Sequence, residues 1–173
     1  MKTKYKGIEF DSQEEIEFYM WYKEAEEAAI FYDLHMQVEY DLSPRQSRKE
    51  TKELKTKTKI VDKFLLHPHK YTSDFEFIIF DNYLKHKFPF VLNENYFIIV
   101  DVKGSFNQHG GDREFSINQK WLYHEQGDYV NKVVPEKLFK ATWCPKEARL
   151  TPKTKQVKKK YARMKTIEEF MRG

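Results

Sequence analysis

The chain is predicted to form an α/β domain, and three observations predict it. A capped, aromatic-rich helix signal covers residues 13–31, three stretches of strand character follow it, and a second helix signal at 115–126 leads into one more strand. The order helix, strand, strand, strand, helix, strand implies a mixed central sheet flanked by helices. With 173 residues and 40% hydrophobic content the chain suffices for one domain with its own core, and 16% aromatic residues exclude a wholly disordered protein.

Residues 5–11 form a short lead-in with a turn at Gly7. Ser12-Gln13-Glu14-Glu15 has the form of a capping box, Ser12 as N-cap and Glu15 at the third helical position. The helix after it places Ile16, Tyr19, Met20, the stem of Lys23, Ala28 and Phe31 on one stripe, with acids over the rest. Leu34–Leu42 alternates apolar and polar residues as a half-buried strand does, which makes His35 a solvent-facing strand residue and not a ligand.

Ser43-Pro44 opens a basic insertion, about 43–66, with Arg45, Arg48, Lys49, Lys52, Lys55, Lys57, Lys59 and Lys63 against Glu50, Glu53 and Asp62. A solvated loop or helix and a phosphate-contacting arm are equally good readings of it. His67-Pro68-His69 reads as a turn into a second strand, Tyr71–Phe80, which carries Asp74 near its start. Residues 81–95 form a long excursion, and Tyr96–Val102 is a third, buried strand that runs into Lys103 and Gly104. After a loop rich in turn residues, 105–113, the second helix presents Ile117, Trp121, Leu122 and Tyr123 and stops at Gly127; Tyr129–Val134 completes a strand before Pro135.

The formal charge of +4 is the residue of many charges of both signs and points only weakly to nucleic acid. Cys144 is the only cysteine, which excludes an internal disulfide and a cysteine-based zinc site and suits a reducing cytosol. No apolar run approaches the ~18 residues of a membrane span and no signal peptide stands at the start, so the expected protein is soluble and intracellular. A tail over 144–173 carries Lys153, Lys155, Lys158, Lys159, Lys160, Arg163 and Lys165; docking by its last helical turn, a DNA-binding arm and a disordered tail are all open.

The residues with chemistry to explain are Asp101 and Lys103. Two positions apart on one strand they project to the same side, where a charge costs several kcal/mol to desolvate without a partner. A satisfied structural ion pair is one explanation. The other brings in Asp74, because carboxylates from neighbouring strands supply the hard oxygen ligands that Mg²⁺ takes, with waters and a phosphate oxygen completing the octahedron.

Asp74, the gap over 75–100, and Asp101-Val102-Lys103 resemble the acid, gap, Asp/Glu-x-Lys signature of the PD-(D/E)XK nuclease superfamily, although Ser73 stands where the nominal motif has proline. The opening Phe10-Asp11-Ser12-Gln13-Glu14-Glu15 resembles that of small phage-encoded nuclease-like proteins related to Holliday-junction resolvases. Gln119 to Tyr123 resembles the Gln-x-x-x-Tyr element of RecB-like members. The resemblance covers about residues 7–135 and implies a restriction-endonuclease-like core within a nuclease domain over 1–143, extended by the basic segment 144–173.

It also implies a Mg²⁺-dependent endonuclease acting on branched, nicked or junction DNA, with Mn²⁺ able to substitute, in the cytoplasm of the cell or of a phage's host. Asp74, Asp101 and the Val102 carbonyl would hold the metal, Glu15 a second ion or its water shell, and Lys103 would orient the attacking water. Gln119, Lys120, Lys55, Lys57, Lys59, Lys158, Lys159 and Lys160 would lie on the nucleic-acid side. DNA is the expected partner, with a homodimer left open and no membrane. The rivals are a non-catalytic nucleic-acid-binding module with the same fold, an RNA-contacting accessory protein, and an end-cleaving transposase or restriction-type subunit.

Overall fold

Ser12 caps the first helix as its sequence demands, its hydroxyl accepting from the Glu15 N–H. The computed structural model describes residues 2–80, 84–104, 111–151 and 154–173. A small hairpin, β1 (Thr3–Tyr5) with β2 (Ile8–Phe10), turns at Lys6 and Gly7, both with positive φ, and leads into α1 (Gln13–Glu27). The helix ends before 31. Ala29 takes φ +54°, and the Ala29 and Ile30 N–H groups close back on the Glu26 and Ala25 carbonyls, the hydrogen-bond pattern of a Schellman stop built without glycine. The buried face of α1 is Phe18, Trp21, Tyr22 and Ala25 with Ile16; the expected stripe through Tyr19, Met20 and Lys23 is only half-buried, because the larger rings at 3.6-residue spacing take the core side.

The central sheet has β3 (Phe31–Ser43), β6 (His69–Ile79), β7 (Phe97–Val102) and β8 (Val130–Val133) side by side in that order, the first three antiparallel and β8 parallel to β7. Its architecture is mixed α/β, a mixed sheet with helices against it. The parallel step needs a crossover, which α2 (Gly111–Gln126) supplies, stopped by Gly127 at φ +80°. On one side Phe75, Phe77, Ile98 and Val100 pack against α1; on the other Ile99 and Val130 pack against Phe115 and Leu122 of α2. Ile117 and Tyr123, expected inward, are exposed, and Asn118 is buried in their place.

The basic insertion is neither loop nor helix. It is a β-ribbon of its own, β4 (Gln46–Leu54) paired antiparallel with β5 (Lys57–Leu66), whose side chains are almost all exposed.

Between β6 and β7 the described residues make two short 3-10 turns, Leu84–Lys87 and Glu94–Tyr96, and send Phe88 and Phe90 into the aromatic cluster around Trp21. Two asparagines fasten this excursion. Asn131 of β8 accepts from the Val91 N–H (2.8 Å) and donates to the Val91 carbonyl (2.9 Å), while Asn93 makes the same reciprocal pair with the backbone of Tyr129.

The last segment is no loose tail. After α3 (Pro135–Ala141), the chain through α4 (Lys146–Arg149) and α5 (Ile167–Arg172) buries Cys144, Ala148, Tyr161, Ile167 and Phe170 in the same core as α1. Cys144 is a packed structural thiol, its pKa pushed up to about 11 by burial. No helix among the described residues is long and apolar enough to cross a membrane.

Candidate active site

The site forms where β6 and β7 stop pairing. Their ladder runs from Ile78↔Phe97 to Phe75↔Val100, and one step further Asp74 comes opposite Asp101. Here a side chain replaces the ladder: the Val102 N–H donates to Oδ2 of Asp74 at 2.7 Å. Asp101 is buried, and its Oδ2 accepts from the Tyr71 hydroxyl at 3.1 Å. Its Oδ1 lies against the Lys103 ammonium, in a contact not aligned as a hydrogen bond, and has no hydrogen-bond partner. The lysine side chain is 26% exposed and that of Asp101 7%, so the pair has its cation toward solvent and its anion toward the core.

Burial, the Asp101 carboxylate and then Glu15 push the Asp74 pKa up to about 7, against the Val102 hydrogen bond and Lys103, which act the other way. Asp101 is raised as well, chiefly by burial, with Lys103 and the Tyr71 hydroxyl opposing. Burial raises the Tyr71 phenol, and Asp101 adds to it, so this group stays a donor. Two carboxyls on neighbouring strands, each resisting ionisation, make a place that favours a bound cation.

The chain matches no protein-family model, no curated protein and no solved structure.

Among the described residues, no three His, Cys, Asp or Glu side chains group in a way that could hold an ion. What the residues fit is a sparser Mg²⁺ site, in which one or two carboxylates bind and waters and phosphate oxygens supply the rest. The buried Oδ1 of Asp101, which meets the Lys103 ammonium without an aligned hydrogen bond, and the raised Asp74 suit that donor set.

Glu15 is near enough to Asp74 to raise its pKa, yet both of its oxygens are engaged: Oε1 accepts from the Ser12 hydroxyl (2.9 Å) and Oε2 from the Asp11 N–H (3.0 Å). Its geometry is that of a cap reaching one residue further back than a capping box does. The neighbouring Glu14 faces the backbone just after Lys103, since a Cβ on Gly104 would come 3.3 Å from its Oε1. Glu17 is turned away, accepting from Tyr161 (2.7 Å) and Lys158 (3.3 Å).

The residues expected on the nucleic-acid side divide. Gln119 is engaged inside the fold, its amide donating to the Val130 carbonyl at 2.6 Å, while Lys120 is exposed on α2. Lys158 is drawn inward by Glu17, and Lys160 stands over the Tyr161 ring at 4.4 Å; Lys159 is exposed. Lys55 lies in the turn of the ribbon, and Lys57 and Lys59 on its second strand, all exposed. Lys153, the loop 105–110 and residues 81–83 of the excursion lie outside the described residues.

Two buried polar residues carried no motif, Tyr71 at the site and Glu76 further along β6. Tyr71 shows itself only through register, and Glu76, buried and bonded by Tyr40 (2.6 Å) and Ser73 (2.7 Å), could have been noticed as an acid amid the apolar run of β6.

Proposed function

We propose that this chain is a metal-dependent DNA endonuclease with a PD-(D/E)XK-type site on a restriction-endonuclease-like core. The observation that carries the reading is the placement of Asp74 opposite Asp101 just past the end of the β6–β7 ladder, with Lys103 against Asp101. The element order and the mixed sheet are consistent with it. Asp74 and Asp101 would hold Mg²⁺, with the Val102 carbonyl beside them, and the metal would polarise a phosphate oxygen.

The protein's own groups do the rest. Tyr71, by donating to Oδ2, fixes the rotation of the Asp101 carboxyl and leaves Oδ1 turned to Lys103. Lys103, the more exposed partner, swings its ammonium from Asp101 to the attacking water and the phosphate, where it orients the one and offsets charge growing on the other as the P–O bond to the leaving strand breaks. Glu15 adds negative charge near Asp74 while capping α1.

A supercoiled, linear, nicked and four-way DNA panel with Mg²⁺ or Mn²⁺ tests the reading. The wild-type chain should cut in either metal and not in chelator, and Asp101→Asn and Lys103→Met should each lower the rate by at least about 10²-fold while leaving a folded protein. The Asp101–Lys103 contact also suits a second reading, a non-catalytic DNA-binding module in which the pair is structural. In that case nothing is cut, and Lys103→Met lowers the Tm, because an uncompensated buried carboxylate costs about 3–5 kcal/mol.

A further inference from the structure

The pairing of the ribbon sorts its charges. From Ser47↔Phe64 to Leu54↔Lys57 the register is regular, so directly opposite residues share a face and neighbours along a strand alternate. One face carries Arg48, Lys52, Lys57, Lys59 and Lys63 with a single acid, Glu50. The other carries Lys49 with two acids, Glu53 and Asp62. On the basic face Glu50 is held by Arg48 and by Lys63 (3.1 Å), near the root of the ribbon. Lys52, Lys57 and Lys59, toward the tip, pair with no acid among the described residues and are exposed.

Solubility and the blunting of open strand edges explain lysines on a ribbon but not their collection on one face. A two-stranded ribbon is marginally stable alone, so a partner that covers this one would also hold it in shape. The ribbon is about 30 Å long, by strand rise over nine residues, and springs from the end of the sheet that carries the acids: Asp74 is five residues beyond His69, where β6 begins.

We infer that the ribbon is a duplex-DNA arm whose Arg48/Lys52/Lys57/Lys59/Lys63 face lies against the phosphates, in or along a major groove, which is wide enough to admit a two-stranded ribbon. The occupant follows from charge complementarity: a regular row of anions suits Lys52, Lys57 and Lys59, which stand together toward the tip with no acid beside them among the described residues. The inference shares a DNA partner with the endonuclease reading, but it concerns binding and does not depend on cleavage.

The test moves charge between faces without changing its amount. In the variant Thr51→Lys/Lys52→Thr/Thr58→Lys/Lys59→Thr, two cations leave the basic face for the other, net charge is kept, and the cation that Thr58→Lys introduces comes opposite Glu53. Binding of the full chain to a fluorescent duplex is titrated against salt in chelator, so that no strand is cut, and circular dichroism checks the fold. The slope of log K against log salt should fall by about 1.8, two contacts at about 0.9 each. Lys52→Gln/Lys59→Gln should give the same fall, and Lys49→Gln none. An unchanged slope in either the face-swapped variant or Lys52→Gln/Lys59→Gln, or a loss of about 0.9 from Lys49→Gln, overturns the arm. If the wild type cuts DNA while the slopes do not move, the arm alone fails; if the slopes fall and nothing is ever cut, the endonuclease reading alone fails.

Discussion

Asp74 concentrates the tension between stability and chemistry at a single residue. Its folded carboxyl keeps its proton up to about pH 7, whereas an unfolded aspartate loses it near 4, so the folded state binds more protons between those limits. The contribution of this group is therefore fully present below about pH 4 and is lost as pH rises through 7. Asp74→Asn keeps an oxygen for the Val102 N–H and carries no charge. In chelator its Tm should exceed that of the wild type at pH 8 by at least about 3 °C, a gap that closes toward pH 4. A gap that ignores pH would mean that the buried charge is not what strains this position. Asp74 and Asp101 could be picked out of the sequence because charges are out of place in apolar strands. Tyr71 could not, because nothing local says that its hydroxyl meets Asp101; only the pairing of β6 with β7 does.

At the scale of elements, what could be read depended on whether an element buries anything. The strands of the central sheet and the start of α1 announce themselves by apolar alternation and by Ser12, but the end of α1 rests on Ala29 in a conformation usually left to glycine, and so carries no sequence signal. The ribbon was opaque for a related reason: strands with almost every side chain in water have no hydrophobic period to read. Of the readings the basic tail left open, docking by its last helical turn is the one that holds: Ile167 and Phe170, with Tyr161, anchor it. The N-terminus of α1 offers a sharp test of its own. Ser12→Ala should cost about 1 kcal/mol, a fall in Tm of about 2–4 °C. Glu15→Gln retains an acceptor for the Asp11 N–H, and should change the Tm by less than about 1 °C and slow cleavage by less than the about 10²-fold expected for Asp101→Asn. A loss as large as that of Asp101→Asn would move Glu15 from the cap into the reacting centre.

For the molecule as a whole, the parallel strand β8 sets the order of assembly. It joins β7 across the α2 crossover, so their pairing is non-local, although the Phe31 end of β3 meets Ile79 of β6 over a longer stretch of chain. The two asparagine pairs depend on that event, because Asn131 and Tyr129 belong to β8 or its approach while Val91 and Asn93 belong to the excursion before β7. Neither amide meets these backbone partners until both pieces are in place, and in the folded chain Asn131 is buried, so losing its partner there leaves polar groups away from water. If the amides close only after the folding barrier, as a latch does, their contribution is to the lifetime of the fold more than to its speed of formation. Asn131→Ala should leave the refolding rate near that of the wild type and raise the unfolding rate by at least about tenfold, a difference that the two arms of a denaturant chevron separate directly. Such a latch prolongs the interval before the folded chain first opens.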